Sequence, residues 1–303
     1  MRAVVCTKYG LADVLELKEV EKPIPKDHEL LIKVHATTVT SGDCRIRAFK
    51  CPLLLWIPMR LVLGLTKPRN PILGVELSGE IEAVGKHVKQ FKKGDQVYAL
   101  SGMRCGAHAE YICMNERAVV ALKPTNVTHE EATAIPFGGT TALHFFRKGK
   151  LQTGQKVLIY GASGSVGTSA VQLAKYFGAE VTGVCSTANV ELVRSLGADQ
   201  VIDYTKEDFT KKEERYDIVF DAVGKSTKSQ CVQALAPNGI YLTVDGLGIA
   251  EVRTEDLVYL KELMEAGHIK AVIDRRYTLE QVPEAHRYVE TGRKKGNVVI
   301  TVG

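Results

Sequence analysis

The spacing of apolar residues changes near residue 151, and the change divides the chain into two kinds of structure. Before it, short apolar runs lie between turn-forming residues, which predicts a β domain of Greek-key or barrel type. After it, apolar runs of five or six residues alternate with helical stretches, which is typical of a parallel α/β sheet.

The predicted strands of the first part include 3–5, 30–34, 77–84 and 96–100. Those of the second are 156–160, 180–185, 200–203, 217–221 and 239–244, with helices near 167–177, 189–196, 226–235, 254–266 and 279–292. The last strand, 297–302, alternates between apolar and polar positions, so we expect it to return to the β domain. Residues 1–124 and 270–303 then form the β domain, and residues 125–269 form the α/β domain.

The stretch after Val244 is too short for this pattern. Only residues 245–248 separate the strand that ends there from a strand-like run at 249–253. A crossover between parallel strands needs about a dozen residues. Either 249–253 is not the next parallel strand, or a segment is absent near 245–250. The second alternative is favoured, and it predicts neighbouring Cα atoms much more than ~3.8 Å apart there.

The longest apolar run is 52–65, with the sequence PLLLWIPMRLVLGL. It contains Pro58 and Arg60 and falls short of the ~20 apolar residues that a membrane span requires. We therefore expect no stable membrane insertion. The run is expected to be buried or to line a pocket, and the alternative is an interfacial contact with a membrane.

Composition excludes several classes of protein. The 40 Lys and Arg against 35 Asp and Glu give a net charge of +5 over 303 residues, too mild to predict nucleic-acid binding. A hydrophobic content of 45% with 25% charged residues argues against disorder. The seven cysteines are dispersed without a C-x-x-C pair, and no signal peptide follows Met1, so we expect reduced thiols and a cytoplasmic location.

A glycine motif follows the strand at 156–160 and precedes a helix. In a phosphate-binding turn, one glycine permits the sharp exit from the strand, one lets the backbone approach a pyrophosphate, and one lets the helix pack on the strand. The alternative is a tight turn that binds nothing. The predicted cofactor-binding residues of this turn are Gly161, Ser163, Gly164, Ser165, Val166 and Gly167.

The second strand of the α/β part indicates which dinucleotide binds. NAD sites place an Asp or Glu near its end, whereas this strand runs into Ser186 and Thr187. Small hydroxyl residues can donate to a 2′-phosphate that a carboxylate would repel, so the sequence predicts NADPH. Asn189 stands where a cation would be convenient, and Arg194 or the basic run 293–295 could supply one.

Several stretches along the whole chain carry a family resemblance, namely 71–79, 84–85, 91–97, 109–111, 122–124, 130–132, 135–136, 161–164, 166–167, 196–199, 201–204, 284–286 and 296–299. With them the sequence resembles the zinc-independent quinone oxidoreductase family of the medium-chain dehydrogenase/reductase superfamily. The resemblance implies a Rossmann doubly wound parallel sheet plus a GroES-like barrel-type β domain, with the active cleft between them. It also implies a homodimer joined through the strand at 239–244.

Zinc-dependent relatives bind the metal with an early Cys, a Gly-His-Glu triplet and a third ligand before the dinucleotide domain. Here the triplet contains Val75 in place of histidine, and residues 137–140 offer no thiolate. Cys44 alone cannot form a three-ligand site. Only Cys105 and Cys113 lie in the region of the structural zinc lobe. We therefore expect no metal.

The resemblance implies an NADPH-dependent oxidoreductase that transfers hydride to a quinone or conjugated enone, a small apolar electrophile. Asp43 and Thr40 match the stretch beside the nicotinamide and are the candidate catalytic residues, although Asp43 could equally form an Asx turn. The implied cofactor contacts are Thr140, Tyr204, Val223, Gly224, Val244 and Gly246. The alternatives are an enoyl thioester or alkenal reductase, and a non-catalytic NADPH-binding redox sensor.

Overall fold

The computed structural model describes residues 1–51, 56–245 and 250–303. The chain divides into two compact units. The first unit comprises Met1–Pro136 and Ile273–Gly303, and the second comprises Phe137–Val272. The domain boundaries expected from the sequence, after residue 124 and before residue 270, stay a prediction.

The elements of the described residues follow in chain order. The strands are β1 (Arg2–Cys6), β2 (Leu15–Glu19), β3 (Glu29–Thr38), β4 (Glu76–Val84), β5 (Gln96–Leu100), β6 (Tyr111–Asn115), β7 (Val119–Leu122), β8 (Lys156–Tyr160), β9 (Glu180–Cys185), β10 (Gln200–Asp203), β11 (Tyr216–Asp221), β12 (Leu235–Thr243), β13 (Ile273–Thr278) and β14 (Asn297–Thr301). The helices are α1 (Ser41–Arg47), α2 (Trp56–Leu63), α3 (His129–Thr133), α4 (Pro136–Lys148), α5 (Ser165–Tyr176), α6 (Val190–Ser195), α7 (Lys228–Cys231), α8 (Thr254–Glu265) and α9 (Val282–Glu290).

The first unit is built around β3, the longest of its strands. In the described residues the main sheet has the order β13-β14-β3-β4-β5-β7, and β6 also pairs with β3. Leu30, Ile32 and Val34 alternate along β3 and lie buried in the core with Leu77 and Ile81 of β4. The alternation of β3 thus places its apolar face on the barrel interior.

β14 returns to this sheet, as predicted, and pairs antiparallel with β3. The reason given for the prediction is wrong, because Asn297 to Ile300 are all buried rather than alternately exposed. β13 pairs with the other edge of β14 in parallel, so β14 is an interior strand. Both faces of β14 are covered as well, because Val298 and Ile300 lie in the core while Nδ2 of Asn297, on the other face, donates to the Ala134 carbonyl at 2.7 Å.

The second unit contains a parallel sheet of five strands within the described residues, in the order β10-β9-β8-β11-β12. The strand order reverses at β8, which lies between β9 and β11. At such a reversal a crevice opens beyond the carboxyl ends of the strands, where open α/β sheets bind ligands. The predicted fold class, one α/β unit and one barrel-type β unit, is confirmed.

Residues 250–253 lie in no strand. Of the two alternatives, the one in which 249–253 is not the next parallel strand therefore holds for the four residues that the structure describes, 250–253. The predicted chain break near 245–250 falls on residues 246–249, outside the described residues, and so does Gly246. β12 consequently has β11 as its one pairing neighbour within the described sheet.

Residues 52–65 are expected to be buried or to line a pocket. Burial is wrong for α2, which has no buried residue, and the pocket-lining alternative stays a prediction. Residues 52–55 lie outside the described part. The helix rests on the unit through Arg60, whose guanidinium stacks over the rings of Tyr9 and Phe49, and this leaves its other sides exposed. In the described residues no helix is long and apolar enough to cross a membrane.

Candidate cofactor site

Two glycines in the turn between β8 and α5 are required by the backbone. Gly161 has a φ of +79°, and a Cβ atom there would lie 2.5 Å from Cγ1 of Val223. A Cβ on Gly167 would lie 2.1 Å from the carbonyl oxygen of Gly161. Neither position accepts a side chain, so α5 begins directly against the end of β8.

Gly164 is different because the protein itself tolerates a side chain there. Its φ of −81° and ψ of 178° are open to any residue. A Cβ would lie 3.5 Å from the Gly161 carbonyl oxygen, an ordinary van der Waals contact. Packing therefore gives no reason for glycine, whereas a phosphate approaching the backbone does.

The amino end of α5 completes a site for that phosphate. The Gly164 N–H donates to the Gly161 oxygen at 3.0 Å, and the Thr168 N–H donates to the Gly164 oxygen at 2.9 Å. The amides of Val166 and Gly167, in the first turn, have no acceptor within the helix. They carry the positive end of the dipole of a 12-residue helix, so the turn fits the pyrophosphate of a dinucleotide.

Three polar side chains meet beside this turn, at the end of β9. Nδ2 of Asn189 donates to Oγ of Ser163 at 3.0 Å and to Oγ of Ser186 at 3.2 Å. Oδ1 of Asn189 is buried and has no hydrogen-bond partner among the described residues. We call Ser163, Ser186 and Asn189 the hydroxyl–amide cluster. It lies where a dinucleotide places its adenosine ribose.

The hydroxyl of Thr187 is directed to Asp203 and does not join the hydroxyl–amide cluster. It donates to Oδ2 of Asp203 at 2.5 Å, while Oδ1 of Asp203 accepts from the backbone N–H and hydroxyl of Thr205. The hydrogen bonds from Thr187 and Thr205 lower the pKa of Asp203 to about 2. Asp203 is therefore an ionised carboxylate whose oxygens are occupied. Tyr204, the next residue, is exposed.

The turn after β11 is organised by the buried carboxylate of Asp221. This group accepts from the N–H groups of Val223 at 3.0 Å and Gly224 at 2.9 Å, and from both the N–H and hydroxyl of Ser226. Gly224 needs its left-handed φ of +69°. The Val244 N–H donates to the Asp221 carbonyl. Val223, Gly224 and Val244 thus lie together at the crevice beside Gly161.

Thr140 lies on α4 and is buried. The helix passes close to the start of α5, because a Cβ on Gly138 would lie 2.5 Å from the carbonyl oxygen of Ser165. Gly138 therefore permits the approach that brings Thr140 to the same end of the second unit as the glycine turn.

In the first unit, Thr40 and Asp43 form a capping box at the start of α1. Oδ2 of Asp43 accepts from the Thr40 N–H at 2.8 Å and from the Thr40 hydroxyl at 2.6 Å. Its Oδ1 accepts from the Gly74 N–H at 3.0 Å. The carboxylate is buried with three donors on it, a structural arrangement that ties α1 to the stretch before β4.

The side chains at the positions of zinc ligands are neutral or engaged. Burial raises the pKa of the Cys44 thiol to about 12, and Sγ lies 3.4 Å from Nδ1 of His286. Burial and the neighbouring His108 lower the pKa of His286 well below its usual value. Glu76 accepts from the Thr38 hydroxyl at 2.5 Å. Within the described ranges no group of three or more His, Cys, Asp or Glu residues is arranged to hold a metal ion.

Known proteins match this chain in both of its units. Residues 26–124 match the family model "Alcohol dehydrogenase GroES-like domain", and residues 165–290 match "Zinc-binding dehydrogenase". The 2-methylene-furan-3-one reductase of Solanum lycopersicum is 36% identical over 99% of this chain and 79% of that protein. The chain belongs to the medium-chain dehydrogenase/reductase superfamily.

Two further members of the superfamily support this assignment. The NADPH-dependent alkenal/one oxidoreductase, chloroplastic, of Arabidopsis thaliana is 33% identical over 99% of this chain and 79% of that protein. The solved quinone oxidoreductase of Coxiella burnetii superposes with a TM-score of 0.91 at 27% identity, covering 100% of this chain and 99% of that one. The alignment with the Solanum protein runs over 319 residues, more than the 303 of this chain, so that relative carries residues that this chain lacks.

The described residues predicted to contact the cofactor in the second unit lie at the glycine turn, the end of β9, the turn after β11 and α4. The structure adds Asp221 and Gly138, which the sequence did not single out, and gives Asn189 a different role from the one expected for that position. Asp221 could have been predicted from the sequence, since it is an acid at the end of a buried strand, two residues before Val223. Gly138 carried a weaker signal, a glycine inside a helix. The buried, unpartnered oxygen of Asn189 has no sequence signal, because it depends on the packing of α6 against the turn.

Proposed function

We propose that the chain is an NADPH-dependent oxidoreductase that transfers hydride to a conjugated enone or a quinone without a metal. Two neighbouring features support the proposal. One is the hydroxyl–amide cluster, and the other is Gly164, where the packing would accept a side chain but an approaching phosphate would not. Membership in an oxidoreductase superfamily supplies the class of reaction.

The choice of NADPH rests on what surrounds the cluster. A 2′-phosphate accepts hydrogen bonds, and the hydroxyls of Ser163 and Ser186, which each accept from Nδ2 of Asn189, keep their own protons to donate to it. The nearest acid, Asp203, is held by Thr187 and Thr205, and Nζ of Lys206 lies 3.6 Å from it. These contacts offset its negative charge, so it repels a phosphate less than a free carboxylate would.

Tyr204 and Thr187 remain proposed contacts at the adenosine end, with Thr187 acting through its backbone because its hydroxyl is engaged. Of the cations considered from the sequence, Arg194 pairs with Glu191 at 2.8 Å. The basic run 293–295 belongs to the first unit, and its contact with the phosphate stays a prediction.

The proposed substrates need no Lewis acid. The relatives' names describe carbon–carbon double bonds conjugated with a carbonyl group. NADPH would supply a hydride to such a bond, and the enolate that results takes a proton from solvent. With a quinone the same transfer and protonation give the hydroquinone. The protein's share of the work is to orient the reactants and exclude water.

Independence from zinc follows from the residues at the ligand positions. A catalytic zinc site needs three protein ligands, and thiolate is the form of cysteine that binds metal. Val75 cannot coordinate, residues 137–140 offer no thiolate, and Cys44 alone supplies one ligand of the three. The residues present therefore do not fit a catalytic zinc ion.

Thr40 and Asp43 are proposed to act as positioning residues. The carboxylate of Asp43 already accepts from three donors, which tie it to Thr40 and to the Gly74 backbone. Its contribution is to hold α1 and Gly74 in one geometry. Asp43→Asn should therefore lower stability together with turnover, and not turnover alone.

The cofactor proposal is tested by Ser186→Asp, with Ser195→Asp as the matched control. Both variants add one carboxylate, but Ser195 lies exposed at the end of α6, and its hydroxyl donates to the Leu192 carbonyl. Ser186→Asp should weaken NADPH binding at least about tenfold and strengthen NADH binding. Ser195→Asp should leave both affinities unchanged. An unaltered preference in Ser186→Asp would contradict the argument.

The substrate proposal is tested by following NADPH consumption with quinones, enones, alkenals and enoyl thioesters. Turnover of quinones or enones is expected. Turnover of enoyl thioesters alone would select the alternative enoyl thioester reductase. Tight NADPH binding without turnover of any acceptor would select the redox-sensor alternative.

The assembly and location are proposals as well. β12 has one pairing neighbour in the described sheet, and an open strand edge can pair with a second copy, which supports a homodimer. A monomeric mass by light scattering would contradict it. Seven free cysteines support the reducing cytoplasm. Since relatives include chloroplastic and mitochondrial proteins, cell fractionation is the test.

A further inference from the structure

Large apolar side chains project from α2 and the turn after it into solvent. They are between 45% and 68% exposed, and α2 has no buried residue. Clustered exposed apolar side chains on a soluble protein mark an interaction site more often than chance. We call Trp56, Ile57, Leu61, Val62 and Leu65 the α2 patch.

Specific contacts hold α2 against the first unit with the α2 patch exposed. The guanidinium of Arg60 lies 4.0 Å from the ring centroid of Phe49, 4.7 Å from that of Tyr9 and 4.8 Å from that of Trp56. The hydroxyl of Tyr9 donates to the Gly64 carbonyl at 2.9 Å. Cation–π contacts of this kind hold the inner side of the helix on the first unit. The apolar side chains outside this cage are left facing water.

The charge around the patch has one sign. Residues 44–75 contain no Asp or Glu, and their cations are Arg45, Arg47, Lys50, Arg60, Lys67 and Arg69. Arg47 is buried and pairs with Glu290 at 2.5 Å, and Arg60 is enclosed by the three rings. The other four are exposed at the surface.

Asp43 and Glu76 bound this segment in the sequence, and both are buried with hydrogen-bond donors on them. Glu290 pairs with Arg47 and lies 3.8 Å from Nζ of Lys50, so its charge is matched by cations. The α2 patch is consequently an apolar surface in a positive field.

We propose that the α2 patch docks on an anionic lipid bilayer. Exposed Leu, Ile and Val side chains enter the boundary of the acyl chains, and the exposed cations lie against the phosphate headgroups. Tryptophan at this depth matches its preference for the interface. A bilayer is favoured over an acidic protein because a convex helix with apolar residues on several sides fits a deformable surface. The proposal does not rest on the proposed function.

The chain provides its own probe, since Trp56 is its single tryptophan. The full chain is titrated with vesicles of phosphatidylcholine alone, or of phosphatidylcholine mixed with phosphatidylglycerol. With the mixed vesicles, Trp56 emission should shift to the blue and be quenched by brominated acyl chains, and high salt should reverse the shift. No shift with mixed vesicles overturns the proposal, and an equal shift with neutral vesicles overturns the part assigned to charge.

Variants separate the two components of binding. Leu61→Ser combined with Val62→Ser should lower partitioning onto mixed vesicles at least about tenfold. Lys67→Gln should lower it about fivefold. Val232→Ser, which removes an exposed apolar side chain from the second unit, should leave it unchanged. Equal partitioning of all variants overturns the proposal, and unchanged NADPH affinity and melting temperature verify that each variant is folded.

A second copy or a protein is the other possible occupant. A blue shift that follows protein concentration without lipid, together with a doubled mass by light scattering, would show that the patch joins two copies. Capture of an acidic protein by the wild type but not by the Leu61 and Val62 variant, without vesicle binding, would show a protein partner. Either outcome overturns the bilayer proposal.

Discussion

Replacing Gly164 by alanine tests whether this glycine is needed for cofactor binding or for packing of the protein itself. The added Cβ would lie 3.5 Å from the Gly161 carbonyl oxygen and 3.9 Å from Cγ1 of Val223, both ordinary contacts. The backbone is open to alanine, and alanine restricts the unfolded chain, which favours folding by about 0.4–1 kcal/mol. Gly164 is also the N-cap of α5, where alanine is less favourable than glycine by a similar amount, so stability should change by less than about 1 kcal/mol. The methyl group would, however, occupy the approach of the phosphate. NADPH affinity should fall at least about tenfold, or ~1.4 kcal/mol.

Gly167→Ala is the matched control, with the opposite expectation for stability. Its Cβ would lie 2.1 Å from the Gly161 oxygen and 2.7 Å from Cα of Ala162, so α5 must move away from β8. Overpacking of this kind costs about 1–3 kcal/mol. Gly167→Ala should therefore lose both stability and NADPH binding.

The assays are urea denaturation for stability and calorimetric titration with NADPH for affinity. The reasoning is refuted if Gly164→Ala binds NADPH as the wild type does. It is equally refuted if Gly164→Ala loses as much stability as Gly167→Ala.

Three further predictions concern charge and structure. Glu290→Gln leaves buried Arg47 without its charge partner and should cost about 2–3 kcal/mol of unfolding free energy in urea, whereas Glu284→Gln on the same helix should change it by less than about 0.5. Burial lowers the pKa of His129 to about 4, below the ~6.5 of the unfolded chain, so the unfolded state binds the proton first as the pH falls. The free energy of unfolding should therefore be highest above pH ~6.5 and fall by about 1 kcal/mol towards pH 4, a value reduced for the partial exposure of the ring. Urea denaturation at the two pH values should show that His129→Gln abolishes this fall. Asp221→Asn replaces an acceptor of four donors and should weaken NADPH binding about tenfold by titration; unchanged binding would show that the turn holds without it.

The second unit was largely predictable from sequence. β8, β9 and β10 begin and end at the predicted residues, because buried parallel strands are unbroken apolar runs bounded by polar residues and glycine. The glycine turn was predictable because Gly161 and Gly167 stand where the geometry excludes a side chain, at the spacing of a phosphate-binding turn. β12 begins four residues earlier than predicted, at Leu235, because pairing with β11 continues past Pro237 through a register shift.

The rest depended on tertiary contacts that apolar patterning does not contain. An apolar run such as 52–65 predicts burial, yet α2 is held at the surface by a single cation among aromatic rings. The hydroxyl of Thr187 looked available for a phosphate until β10 placed Asp203 beside it. β13 was missed because Asp274, Arg275 and Arg276 give it the charge pattern of a loop.

Hydride transfer itself is the most direct test of the account. The full chain, treated with a chelator and then dialysed, is mixed with NADPH deuterated at the transferable position and with a conjugated enone. The expected result is an alkanone carrying deuterium at the carbon β to the carbonyl, formed faster from NADPH than from NADH and unaffected by the chelator. A product without deuterium, or activity that the chelator abolishes and zinc restores, would contradict it.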